Sequence, residues 1–278
     1  MVGKKNHKMG LLLSHYTKLN VIDNILQKDH ITFWASRFDS MNDPFDCKFA
    51  IDIVLPEAIS IIKEHYGNDL EDTPLFPYVI SFSKKNDDFN MWRLYNSDIS
   101  LVFDFNTNDE FEKIANQNIE IHGDCKYLKR ENVRNYVIEE FERLQSKIDI
   151  SEDDILDLIR CICFKIKEHS YCGEDEWRFI SCDAFTSMGR YDPGSPDNCI
   201  ITECEVPVDV GVRCVKNGRL KFYKEIKIKK DCLKKIILKT YDKNFFEEQK
   251  KDLELLLIKN NYNINNIEIL QTETYPCL

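Results

Sequence analysis

Glycine and proline are scarce, nine and eight among 278 residues. That excludes a collagen-like repeat and low-complexity disorder. Long apolar runs are also missing: the stretches Gly10–Leu13 and Lys235–Lys239 fall far short of the ~20 residues that cross a bilayer. The basic segment Met1–Lys8 is followed by only three leucines before Ser14 and His15, so it has no signal-peptide hydrophobic region and the expected location is the cytoplasm. No Cys-x-x-Cys pair occurs. The eleven cysteines are odd in number, irregularly spaced and set in apolar segments such as Cys161-Ile-Cys163, the pattern of a reduced, cytosolic set. Cys161, Cys163, His169 and Cys172 come nearest to a metal cluster but lack a zinc spacing, and no metal is expected. No internal repeat or Pro/Gly/Ser linker divides the chain, so one domain is expected over residues 1–278, with 1–9 as a flexible tail.

What is present is a chain that is 43% hydrophobic, 12% aromatic and 31% charged, enough to bury a substantial core. The net charge of −10 argues against non-specific coating of nucleic acid. Its distribution is uneven. Arg213 to Lys239 holds eleven Lys or Arg against Glu225 and Asp231, a local +9, leaving −19 for the rest. Such a stretch could meet phosphates. The alternative is a solvated face of a half-buried strand, because Phe222, Ile226 and Ile228 alternate with Tyr223, Glu225, Lys227 and Lys229.

Periodicity predicts strands at Leu11–Tyr16, Ile31–Ala35, Tyr78–Ser83, Ile99–Phe105, Glu176–Cys182, Ile200–Val206, Leu220–Lys229, Leu233–Thr240 and Ile267–Thr272. Helices are expected from Leu19 to Leu26, from Pro56 as an opening residue, over Asp88–Tyr95, Glu131–Ile148, Glu152–Glu168 and Lys243–Lys259. Thr107 with Glu110 forms a capping box, and Ser151 with Asp154 marks another helix start. The class is α+β with mainly antiparallel sheets and flanking helices.

Three places set polar side chains in strand context. Ser14-His15-Tyr16-Thr17 ends the first strand, where His15 is either a satisfied core residue or a ligand contact. Ser81 and Ser83 share one strand face; two adjacent hydroxyls can fix a ligand or an acid, or Ser83 can cap the turn that follows. In Glu174-Asp175-Glu176-Trp177-Arg178, alternation places Glu174, Glu176 and Arg178 together and buries Trp177 and Phe179. One carboxylate could stabilise a cationic transition state and the other orient an acceptor, with Arg178 separating their pKa values; the alternative is a surface salt-bridge ladder. Trp34 and Trp92 could stack on a planar ring such as nicotinamide or adenine, or belong to the core. Asn42-Asp43-Pro44-Phe45-Asp46 is a turn, or a metal site through Asp43 and Asp46.

Taken in order, Ser14–Thr17, Asn42–Asp46, Ser81-Phe82-Ser83 with Met91, Trp92 and Tyr95, and Glu174–Arg178 resemble the bacterial domain-of-unknown-function family 2971, over Leu11 to Pro276. The chain departs from that family where a glycine-containing loop usually follows the Trp and Tyr; here stands Asn96-Ser97-Asp98. The same order is similar to the ADP-ribosyltransferases, whose split β-sandwich joins a first-strand His or Arg, a Ser- or Tyr-bearing strand and a late Glu. The resemblance implies NAD as substrate and an unidentified protein or nucleic-acid acceptor, in a toxin or phage-defence effector, with no membrane partner. His15 would bond a ribose, supported by Tyr16 or Thr17; Ser81 and Ser83 would orient the catalytic glutamate. Glu176 would bond the nicotinamide-ribose 2′-hydroxyl and stabilise an oxocarbenium-like transition state, while Glu174 positions the acceptor. Two other readings remain open. One is a non-catalytic nucleotide-sensing or partner-binding module. The other is a metal-dependent nuclease, because Pro196-Asp197 precedes Glu225-Ile226-Lys227.

Overall fold

A computed structural model describes residues 11–38, 41, 47–66, 75–105, 120–146, 155–184, 210–214 and 220–274. The protein is mixed α+β. Among the described residues ten strands form one sheet, in the order β12-β11-β4-β1-β3-β2-β10-β9, with β8 also paired to β3 and β5 to β8. These are β1 (Leu11–Thr17), β2 (Ile31–Arg37), β3 (Leu75–Ser83), β4 (Ile99–Phe105), β5 (Glu120–Asp124), β8 (Glu176–Ala184), β9 (Val210–Cys214), β10 (Leu220–Ile228), β11 (Leu233–Leu238) and β12 (Glu268–Gln271). β6 (Lys126–Leu128) and β7 (Ile166–Glu168) make a small parallel pair, and β11–β12 is parallel too; the other pairings are antiparallel. The helices are α1 (Ile22–Ile25), α2 (Lys48–Tyr66), α3 (Phe89–Leu94), α4 (Arg130–Gln145), α5 (Ile155–Cys163) and α6 (Lys243–Lys259).

Strand alternation gives the sheet two unlike faces. One is apolar: Leu13, Phe33, Ala35, Ile80, Phe82, Leu101, Phe103, Trp177, Phe179, Ile226 and Ile228 pack with Ile22 and Ile25 of α1 and Phe246, Leu253 and Leu257 of α6. Phe82 meets Phe33, Phe103, Phe105 and Trp177 edge-on, with ring centroids 5.3 to 6.2 Å apart. The second face is covered in patches. α3 lays Met91 and Trp92 on Tyr16, Val102 and Ile237. Cys47, Cys161 and Phe164 cover Val79 and Ile180, and behind them α2, α4 and α5 pack through Ala50, Val54, Val133, Val137 and Ile162.

β3 divides the sheet. It pairs with β8 along its whole length, from Leu75↔Ala184 to Ser83↔Glu176, but with β1 only at Ser14↔Ser83 and with β2 only at Ser36↔Val79 and Arg37↔Tyr78. β1 and β2 therefore part from β3 between those contacts.

Several expectations change. Pro56 lies inside α2, which begins eight residues earlier. Burial of Ala50 and Val54 holds the helix together, and the proline ring sits on its exposed side. The helix expected over Glu152–Glu168 ends at Cys163, and Ile166–Glu168 is strand β7. β5, β6 and β9 form where no strand was expected. Asn42–Asp46, Thr107 and Glu110, Ser151 and Asp154, Pro196-Asp197 and Ile200–Val206 lie outside the described residues. Among the described residues no helix is long and apolar enough to cross a membrane.

Candidate functional site

Where β1 and β2 part from β3, the patchily covered face opens into a cleft of about 300 Å³. His15, Tyr16, Thr17, Trp34, Ser81 and Ser83, each expected from sequence to contact a ligand, all line it, together with Tyr95, Arg213 and Lys221. Register explains the grouping. Ser14 faces Ser83, Ser36 faces Val79, Tyr223 faces Ser36, and Lys221 faces Arg213, so alternation brings Ser14, Tyr16, Thr32, Trp34, Ser36, Ser81, Ser83, Lys221 and Arg213 to one side of the sheet.

His15 belongs to the opposite, apolar side. Its ring packs edge-on against Phe33 and Phe82, at 5.1 and 5.8 Å, and reaches the cleft through the parting between strands. Its Nδ1 lies 3.2 Å from the Ser81 carbonyl oxygen. A carbonyl only accepts, so Nδ1 carries the proton and donates. Burial pushes the His15 pKa below its ordinary value, against a smaller upward pull from that carbonyl. The ring is therefore a neutral imidazole with its Nε2 lone pair free of a proton at neutral pH.

Tyr16 has a structural duty. Its hydroxyl donates to the Lys85 carbonyl at 2.7 Å and accepts from the Asp88 amide at 3.1 Å, while Ser14 donates to Asn86 Oδ1 at 2.8 Å. These bonds tie the β3–α3 connection to β1. The Tyr16 ring stacks on Tyr95 at 6.3 Å.

Behind Ser81 and Ser83 lies a buried ionic cluster. The β3–β8 register sets Ser81 opposite Arg178 and Ser83 opposite Glu176. Glu176 is 2% exposed and Arg178 is fully buried. Arg178 Nε donates to Glu176 Oε1 at 2.8 Å and its Nη2 to Oε2 at 3.2 Å, a two-point pairing; Nη1 donates to the Phe164 carbonyl at 2.8 Å. Lys167 Nζ donates to Glu176 Oε2 at 2.8 Å and also to Glu174 Oε2. The Glu176 amide donates to the Tyr127 hydroxyl at 2.6 Å, and Ser83 Oγ donates to the Glu174 carbonyl at 2.9 Å. Burial alone would raise the Glu176 pKa, but Arg178 and Lys167 outweigh it and hold the carboxyl at about 2. Glu176 is thus a permanent anion near neutral pH, suited to opposing positive charge and not to giving a proton.

Glu174, Glu176 and Arg178 do come together, with Lys167 joining the two carboxylates, though not by alternation along one strand. Glu174 closes a 3₁₀ turn, His169–Glu174, and Asp175 then adopts left-handed backbone with φ 46°. The surface ladder is excluded by burial. Neither carboxylate, nor Arg178, lines the cleft; Tyr95 connects the two neighbourhoods. It lines the cleft, and its hydroxyl is held protonated first by burial and then by the negative charges of Glu176 and Glu174.

Trp92 is a correction. It is fully buried beneath α3, with Nε1 donating to Asp87 Oδ1 at 2.7 Å, so neither ring face is open to a ligand. Trp34 is half-buried on the cleft wall, 4.8 Å from the Tyr223 ring, with the Arg213 guanidinium 5.4 Å over it.

Sequence reasoning missed Lys167, concealed by the helix reading, and Tyr127. It noted Tyr95 as a helix residue and as part of the family resemblance, without a role, and Arg213 and Lys221 only as part of a basic stretch. Within that stretch, Phe222, Ile226 and Ile228 turn inward and Glu225 and Lys227 lie exposed, as a half-buried strand requires. Among the described residues no group of three or more His, Cys, Asp or Glu is placed to hold a metal ion. No family model matches this chain, and no curated protein and no solved structure matches it.

Proposed function

We propose that the cleft takes NAD and that the protein is an ADP-ribosyltransferase-like enzyme of split β-sandwich type, related to the bacterial family it resembles in sequence. The observation that carries this reading is the β3–β8 register, which sets the cleft hydroxyls Ser81 and Ser83 opposite Arg178 and Glu176. The parting of β1 and β2 from β3, with His15 and Tyr16 at its edge, supports it.

The chemistry suits these groups. The bond between ribose C1′ and the nicotinamide nitrogen breaks, nicotinamide leaves with the electron pair, and positive charge develops on the ribose. A fixed carboxylate in a water-poor site stabilises that charge more than it would in bulk water. An acceptor nucleophile then bonds C1′ and loses its proton to solvent. Trp34 and the Tyr16–Tyr95 pair offer ring surfaces, and the hydroxyls of Ser81 and Ser83 offer partners to ribose oxygens. For the ribose to reach Glu176, the Tyr95 ring gives way.

A second reading, a non-catalytic nucleotide sensor, is favoured by one observation: Glu176 is buried and paired with two cations. Transfer of label from adenine-labelled NAD, with nicotinamide release followed in parallel, separates the two. For the transferase, wild-type protein labels an acceptor, Glu176→Gln does not while its circular dichroism stays native, and Trp34→Ala weakens NAD binding. Binding without nicotinamide release in the presence of cell extract supports the sensor. No NAD binding by calorimetry overturns both.

A further inference from the structure

β9 and β10 bring two cations together at one end of the cleft. Arg213 and Lys221 are register partners on the cleft side of the sheet, and both line it. Two cations set side by side in a partly buried wall make that end of the cleft electropositive, and an anion is drawn to it. Their repulsion is felt: the Lys221 pKa is lowered, first by burial and then by the charge of Arg213. Arg213 itself carries an unused donor. Among the described residues its Nε–H is buried and has no hydrogen-bond partner. A buried donor of this kind costs free energy until something accepts from it. The Arg213 guanidinium stands over the Trp34 ring, and stacking of this kind holds a guanidinium plane while leaving its edge for hydrogen bonds.

The planar fork of a guanidinium beside an ammonium matches phosphate oxygens, which accept several short charge-assisted hydrogen bonds at once. On the opposite flank the cleft offers Tyr16, Tyr95, Ser81 and Ser83, surfaces for a ring and a sugar and not for a second anion. We propose that Arg213 and Lys221 form a phosphate subsite, taking the diphosphate of a nucleotide whose ring and sugar lie along the rest of the cleft. This rests on the reading of the cleft as a nucleotide site, and it assigns that reading's substrate class by charge.

Isothermal calorimetry tests it with three probes on the full chain: NAD, inorganic pyrophosphate, and nicotinamide riboside, which has no phosphate. Wild-type protein is expected to bind NAD and pyrophosphate in competition. Arg213→Gln and Lys221→Gln should each weaken both by roughly 10- to 100-fold and leave nicotinamide riboside unchanged. Native circular dichroism qualifies each variant, and Lys221→Gln carries the test if Arg213→Gln fails to fold. NAD binding that neither substitution alters overturns the subsite while the NAD reading stands. Pyrophosphate binding lost in the variants, with no NAD binding in wild type, supports the subsite and overturns the NAD reading. Absence of both overturns both.

Discussion

Replacing Glu176 by glutamine tests the buried cluster most directly. Glutamine keeps the shape and removes the charge. Arg178, fully buried, then loses a carboxylate that it meets at 2.8 and 3.2 Å, and Lys167 loses one at 2.8 Å while keeping Glu174. Removing one partner of a buried ion pair leaves uncompensated charge, at about 3–5 kcal/mol. Proton linkage points the same way, because Arg178 and Lys167 hold the carboxyl well below its ordinary value and so favour the folded state wherever it is ionised. Against a typical total of about 5–15 kcal/mol the loss is large. Because the folded pKa is depressed, this stabilisation is complete above pH 4.5 and disappears as the pH falls through about 2. Urea unfolding followed by tryptophan fluorescence reads both effects, with Trp177 and Trp92 as buried reporters. Glu176→Gln should lower the midpoint at pH 7 and lose the wild type's decline between pH 4.5 and 2 that comes from this group. Glu176→Gln combined with Arg178→Met, which removes both charges, should recover most of the loss. A single variant within about 0.5 kcal/mol of wild type would refute the electrostatic account.

Other perturbations probe the frame around the cleft. The depressed His15 pKa means that the unfolded chain takes its proton first, so stability should fall as the pH drops below 6.5; His15→Phe should abolish that slope while costing about 1–3 kcal/mol for the orphaned Ser81 carbonyl, both read from denaturation at several pH values. Asp87 accepts from Trp92 Nε1, Thr272 Oγ1 and the Glu273 amide, so Asp87→Ala should destabilise by several kcal/mol, on the order of 2–4, and speed amide exchange at 272–274. A Cβ at Gly211 would run into the Tyr223 ring, so Gly211→Ala should displace that ring from Trp34 and alter Trp34 fluorescence, which Trp34→Phe in the same background would confirm by abolishing the change.

Much of the frame was legible where side-chain pattern and local signals agreed. Lys243–Lys259 reads as a helix because Asp242 caps it and Phe246, Leu253 and Leu257 recur on one face. Ile99–Phe105 reads as a strand because both faces are buried. Three of the missed strands share a cause. β5, β6 and β7 are short and polar, and pairing with β8 or with each other makes them strands, a tertiary fact with no local pattern. In 152–168 the apolar spacing runs on past the true helix end, because Phe164 and Ile166 face inward on both sides of the turn. The hydroxyl pair and the Glu-x-Glu-x-Arg segment were visible in sequence. Lys167, which bridges Glu174 and Glu176, was not, since a lysine in an amphipathic helix is ordinarily solvated.

The parting of the strands links these observations. A β3 paired with β1 along its full length would close the sheet at Ser81 and leave no cleft. Instead the pairing holds at Ser14↔Ser83, and beyond it the His15 ring donates to the Ser81 carbonyl in the opened gap. Loss of continuous pairing on that side is offset by β8, which holds β3 along its length and carries the Glu176–Arg178 pair on the cleft side. The cost of burying those charges falls on a strand pair whose register is firmly pinned, since a one-residue slip of β8 would turn Glu176 and Arg178 into the apolar core and Trp177 and Phe179 out of it. The ion cluster therefore acts on register as well as on charge. Its position directly behind the hydroxyls follows from the strand that both share a ladder with.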